Sequence, residues 1–159
     1  MGAKERSKKL AVVLIAATIA VIGLVGISAA GAQDGGGACH GTYFVDVESA
    51  QSKALWSFNK DGTFQGTDSA ESAVPFSHQQ GAWQHTIARK VKATWLDFNF
   101  GTTNMARVDA EIEFDDRCLT FAGEFSLRTY DYGLNEDPLD PTDGMPGFSG
   151  SFTGERLNP

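Results

Sequence analysis

The sequence predicts an all-β protein, an eight-stranded antiparallel up-and-down barrel that follows an N-terminal signal segment. Three observations predict it. Turn residues recur at intervals of roughly 8–12 positions along the last three-quarters of the chain, the spacing of a barrel or sandwich. Between the turns, apolar and polar residues alternate with the period of a strand. A basic-headed apolar stretch is confined to the first 32 residues, and no helical period survives past residue 33.

That first stretch has the parts of an export signal. Lys4, Arg6, Lys8 and Lys9 precede an uncharged run from Leu10 to Ile27, interrupted only by Thr18, and Ala30-Gly31-Ala32 closes it. A basic head, an apolar middle and an A-x-A-like site make a secretory signal peptide, cut after Ala32. The run of 18 residues also reaches the lower limit for crossing a bilayer, so an uncleaved anchor of residues 10–27 is the other reading. Both readings put the remainder outside the cytoplasm, secreted or periplasmic, and meeting a membrane only through an uncleaved N-terminal segment. Gly35-Gly36-Gly37-Ala38 before Cys39 lacks the leucine of a lipoprotein cleavage site. Residues 33–40 read as a flexible lead-in and residues 41–159 as the barrel domain.

Charge narrows the partners. The chain has 13 Lys+Arg and 20 Asp+Glu; four of the bases and one acid lie in residues 1–32, leaving a body of formal charge −10. A surface that acidic repels a phosphate backbone, so nucleic-acid binding is excluded.

The strands follow in order. The first two, 42–49 and 53–60, lead into Lys60-Asp61-Gly62-Thr63, a tight hairpin in which Asp-Gly supplies the positive φ angles, and then into 63–68. The fourth and fifth span 79–88 and 91–100, followed by the turn Gly101-Thr102-Thr103. In the sixth, 105–114, Ala106, Val108, Ala110, Ile112 and Phe114 share one face, and Arg107, Asp109, Glu111 and Glu113 the other. After Asp115-Asp116-Arg117, the seventh, 118–130, places Leu119, Phe121, Phe125 and Leu127 on one face. The eighth spans 147–157. Eight consecutive strands with short connections suggest closure, which removes exposed edges; a two-sheet sandwich is the rival. Two longer connections, 69–78 and 131–146, follow strands of equal parity, so both belong at one mouth, where barrels usually carry function.

The two ends of the predicted barrel carry a family resemblance. Gly41-Thr42-Tyr43 opens the first strand and Thr153-Gly154-Glu155-Arg156-Leu157 ends the last. The pattern resembles the calycins, lipocalins and their relatives, in which Gly-x-Trp starts the first strand and a late basic residue packs across the aromatic ring. Tyrosine stands here in the tryptophan's place, and the Gly-x-Trp that is present, Gly81-Ala82-Trp83, lies in the fourth strand. The chain is also similar to small exported bacterial proteins of unassigned function through DGTF at 61–64, GAW at 81–83 and FTGERL at 152–157. The resemblance implies a small-molecule binding barrel with Arg156 over Tyr43 as a cation–π pair.

Several residues invite chemistry. In an oxidising compartment Cys39 and Cys118 pair by default, both lying at the same barrel end; otherwise Cys39 is a free thiol beside His40. His85 shares a strand face with Trp83 and Ile87, and Asp97 lies on the Trp95 side of its strand. Each reads either as a satisfied interior residue or as a polar handle or base. Asp131, Glu136, Asp137, Asp140 and Asp143 form an oxygen-rich loop, read either as a calcium cradle or as a stiff solvated segment. Arg107 with Asp109 and Arg128 with Glu124 read as exposed charges. No G-x-S-x-G, P-loop, Rossmann or H-E-x-x-H motif occurs, so neither cofactor nor metal is expected.

Trp56, Phe58, Trp83, Trp95, Phe98, Phe121, Phe125 and Phe152 suffice either to fill an eight-strand barrel or to line its cup. The leading expectation is a barrel that binds a small apolar or amphipathic molecule through Trp56, Trp83, His85, Trp95, Phe121 and Phe125. The alternatives are a cofactor-free isomerase or cyclase using His85 and Asp97, and a surface or structural protein with a solid core.

Overall fold

Alternation becomes architecture strand by strand. In a computed structural model that describes residues 39–158, the strands are β1 (Gly41–Val47), β2 (Ser52–Phe58), β3 (Thr63–Asp68), β4 (Gln79–Ile87), β5 (Lys90–Phe98), β6 (Asn104–Phe114), β7 (Thr120–Asp131) and β8 (Met145–Arg156). Each expected boundary is met to within two residues. Every strand pairs antiparallel with its sequence neighbour, and β1 pairs with β8, closing the barrel and excluding the sandwich. This closed eight-strand meander is compatible with a calycin-like fold. The signal segment 1–32, the anchor reading of residues 10–27 and nearly all of the 33–40 lead-in lie outside the described residues.

One face of each strand fills the interior. In β6, Ala106, Val108, Ala110, Ile112 and Phe114 are buried, while Glu111 and Glu113 face solvent. At the end where β1 begins and β8 finishes, Tyr43, Phe58, Phe114 and Phe121 pack ring against ring. Tyr43 lies 5.1 Å from Phe121 and Phe58 5.6 Å from Phe114, between centroids. Tilted and edge-on aromatic pairs of this kind contribute about 0.5–1.5 kcal/mol each beyond the area they bury. Gly123 and Gly154 make the space: a Cβ on Gly154 would run into the Phe121 ring, and one on Gly123 would meet Phe152 at 2.6 Å. Phe98 departs from the interior set and is half-exposed, because its parity in β5 is that of Leu96, opposite to Trp95.

The same end is clamped covalently. Cys39 and Cys118 form a disulfide with their α-carbons 5.1 Å apart. The Tyr43 hydroxyl donates to both flanking carbonyls, Cys118 O at 3.0 Å and Cys39 O at 3.3 Å. Arg156 stands opposite Tyr43 in the β1–β8 register, and its guanidinium lies against Gly41, whose Cβ would meet Nε at 3.1 Å. Burial raises the Tyr43 pKa, and the Arg156 charge pulls against that rise.

Three local expectations are corrected. In the hairpin after β2, Gly62 alone takes a positive φ, 84°. Gly62 N donates to Asn59 O and Asn59 N to Thr63 O, while the Asp61 carboxylate accepts from Thr63 N at 2.9 Å. The loop is thus a three-residue type, in which one glycine relieves the backbone and Asp61 needs no left-handed conformation.

The 131–146 segment leaves the mouth and folds back along the outer wall as a strap. Arg107, outward-facing on β6, donates to Pro138 O at 2.9 Å and Leu139 O at 3.1 Å, and grips Asp109 with two further bonds. Tyr130, outward on β7 yet buried, donates to Asp140 O, and Arg128 Nε to Asp143 O. Arg107 is therefore covered by the strap while Asp109 stays partly exposed, and Arg128 is turned to the strap rather than to Glu124. Burial raises the Asp109 pKa, but bonds from Arg107 and Thr94 outweigh it and hold the carboxyl below its ordinary range.

The strap's acids serve its own backbone. Asp131 accepts from Gly133 N, Glu136 from Asp131 N, Asp137 from Leu139 N, Asp140 from Thr142 N, and Asp143 from Gly144 N and Asp137 N. Such side-chain caps replace the ladder bonds a loop lacks. Among the described residues, no three acidic, histidine or cysteine side chains converge as a cation cradle.

Candidate functional site

The end opposite the disulfide is hollow. A cavity of about 330 Å³ opens there, walled by inward residues of β2 (Trp56), β5 (Trp95, Asp97), β6 (Ala106, Val108), β7 (Phe125, Leu127, Thr129) and β8 (Phe148), with Gln79 of β4 and Phe76 of the 69–78 loop. The volume falls at the low end of the 300–1,000 Å³ range of small-molecule sites. Small residues create it: Ala106 and Thr129 stand in this layer where Phe114 and Phe121 stand in the sealed one.

Trp56 and Trp95 form the floor. Their centroids are 5.0 Å apart; Trp95 stacks on Phe64 at 4.7 Å, and Trp56 meets Phe152 edge-on at 4.7 Å. Rings locked on several sides make a rigid platform at little entropic cost.

Three residues that wall this apolar chamber carry buried polar atoms without partners. Trp56 Nε1, Trp95 Nε1 and Gln79 Oε1 are buried and make no hydrogen bond. Native interiors satisfy nearly all such atoms, so three on residues that wall one cavity are a departure with a chemical meaning. Asp97, 7% exposed, likewise has no hydrogen-bond or ion-pair partner among the described residues. Burial, reinforced by the nearby charges of Glu71 and Asp68, pushes its pKa up to about 7. The neighbouring acids are already engaged. Asp68 accepts from Ser52 Oγ at 3.0 Å and Ala70 N at 2.7 Å, and Glu71 accepts from Asp68 N and faces His78 Nδ1 at 3.3 Å.

Of the residues expected to contact a ligand, Trp56, Trp95 and Phe125 wall this cavity. Trp83 lies in the sealed half against Phe58 at 5.7 Å and donates its Nε1 to Asn59 O. Phe121 is part of the sealed aromatic cluster. His85 keeps the β4 register opposite Val91 but is exposed at the far rim, 5.1 Å from the Trp83 ring, and a bulge between His85 and Ile87 follows it. His85 pairs with Val91, six positions along β5 from Asp97, a separation of roughly 20 Å at about 3.3 Å per residue. The acid–base pair is not assembled. Gln79, Leu127, Thr129 and Phe148 also wall the cavity; their strand parity was readable, but their height in the barrel was not.

Fold and site together define a closed β-barrel with one sealed end and one ligand-sized mouth. Comparison with protein families, curated proteins and solved structures found no match.

Proposed function

We propose that the chain is an exported calycin-like barrel that holds one small apolar or amphipathic molecule in its mouth cavity. The observation that carries this reading is the 330 Å³ chamber, aromatic at its floor and walled by residues with partnerless polar atoms. Ligand sites are largely apolar with a few convergent polar groups, and unpaired buried polar groups are otherwise costly. Export is supported by the Cys39–Cys118 bond, which suits an oxidising compartment, and by the basic-apolar composition of residues 1–32. Among the described residues, no helix is long and apolar enough to cross a membrane.

Titration with the neutral fluorophore N-phenyl-1-naphthylamine tests it. The expected result is saturable enhancement at one equivalent, lost in Thr129→Trp, which fills the mouth while circular dichroism reports an intact barrel. Absence of saturable binding by the unaltered protein overturns the reading.

A further inference from the structure

We infer that the mouth cavity selects a compact apolar amine, its protonated nitrogen pairing with Asp97 and its apolar body lying on the Trp56–Trp95 floor. This deepens the binding reading above and rests on it.

Among the described residues, the ionisable ones that wall the cavity are both acids, Asp68 and Asp97, and no lysine, arginine or histidine does so. A fatty acid or a phosphate ester would bring its charge to a chamber with no counter-ion and with Glu71 beyond. Unpaired burial of that charge is prohibitive. A cation meets the opposite field.

Among the acids, only one is available. Asp68 and Glu71 are held in a reciprocal cap at the start of the Ser69–Ser72 turn, each side chain accepting from the backbone of that turn, with Ser52 and His78 as further partners. Asp97 has none of these engagements and comes from a separate strand. Around it stand Asp68 from β3, Glu71 from the loop, which His78 faces in turn, and the uncharged Gln79 from β4. An ammonium thus finds an unpaired carboxylate at the wall of an aromatic-floored chamber, whereas a neutral ligand has the apolar contacts and only an uncharged hydrogen bond to offer that acid.

Three probes of near-equal size test this at about pH 8: 2-phenylethylamine, 2-phenylethanol and 3-phenylpropanoate, each read by tryptophan fluorescence and by displacement of N-phenyl-1-naphthylamine. The amine is expected to bind at least about tenfold more tightly than the alcohol, a ratio equal to roughly 1.4 kcal/mol, and the carboxylate most weakly. In Asp97→Asn the amine falls to the alcohol's affinity, while the alcohol is unchanged. A second measurement needs no variant. Affinity for the amine should rise on the order of tenfold between about pH 5.5 and 8 as Asp97 ionises, while that for the alcohol stays flat. Equal binding of amine and alcohol, or an amine preference that survives Asp97→Asn, overturns the inference and leaves the binding reading standing. If none of the three probes nor the neutral fluorophore binds, both fall.

Discussion

Replacing Asp97 by asparagine should stabilise the protein, and by an amount that depends on pH. The two side chains have nearly the same shape, but only aspartate can carry charge into the cavity. Its pKa rises from 3.8 to about 7 on folding. The folded state therefore holds the proton more tightly than the unfolded chain. The group's stabilising contribution is full below the unfolded value and is lost as pH rises through the folded one. Three units at 1.36 kcal/mol each make the ionised carboxylate a burden of about 4 kcal/mol above neutrality. Taking the two titrations together, the gain from Asp97→Asn should grow by about 2.5 kcal/mol between pH 5 and pH 8. Urea unfolding followed by tryptophan fluorescence at both pH values measures it. With a slope of about 1.5 kcal/mol per molar, the midpoints of the two proteins should separate by some 1.7 M more at the higher pH. A variant advantage equal at the two pH values would refute the assignment of a partnerless, desolvated Asp97. Other acids titrate in this range, but they are common to both proteins and cancel in the difference.

Three further outcomes follow from particular contacts. Reducing the Cys39–Cys118 bond, or replacing both cysteines by serine, releases a loop of sequence separation 79. Chain entropy puts the loss at about 4.5 kcal/mol, visible as a lower thermal midpoint in reductant. Gly154→Ala drives a methyl into the Phe121 ring; overpacking of this kind costs about 1–3 kcal/mol, measurable by the same urea titration. Arg107→Ala removes the donors that hold Pro138 O and Leu139 O. With charged-donor bonds contributing about 1.5–3 kcal/mol, amide exchange in the strap should accelerate tenfold or more while that of β2 and β5 is unchanged.

The strands were legible because their physics is local. Ala106 through Phe114 alternate so regularly that face, length and order follow from the residues alone. Asp97 was rightly placed on the face of Trp95 by parity. What depends on register was not readable. His85 has the parity of Trp83, but its height opposite Val91 leaves it exposed at the rim, at the opposite end from Asp97. Tyr130 has the parity of an outward residue and is nonetheless buried, because a loop that looked solvated by composition returns to cover it. Its acids were individually visible; their use as caps on their own backbone depends on where the chain turns, which the positions of Pro138, Pro141 and Pro146 do not by themselves determine.

The asymmetry of the interior has a consequence for how such a chain can change over evolutionary time. Around Cys39 and Cys118 every ring touches others, so a substitution there is judged by whether the protein folds at all. Around Ala106, Leu127, Thr129 and Phe148 one side of each residue borders open space. Changes of size at those positions are absorbed by that space, and selection judges them by what enters it. The two trials are run on separate residues. A lineage can therefore exchange one guest for another without passing through unstable intermediates, and a designer can randomise the mouth while leaving the clamped end as it is.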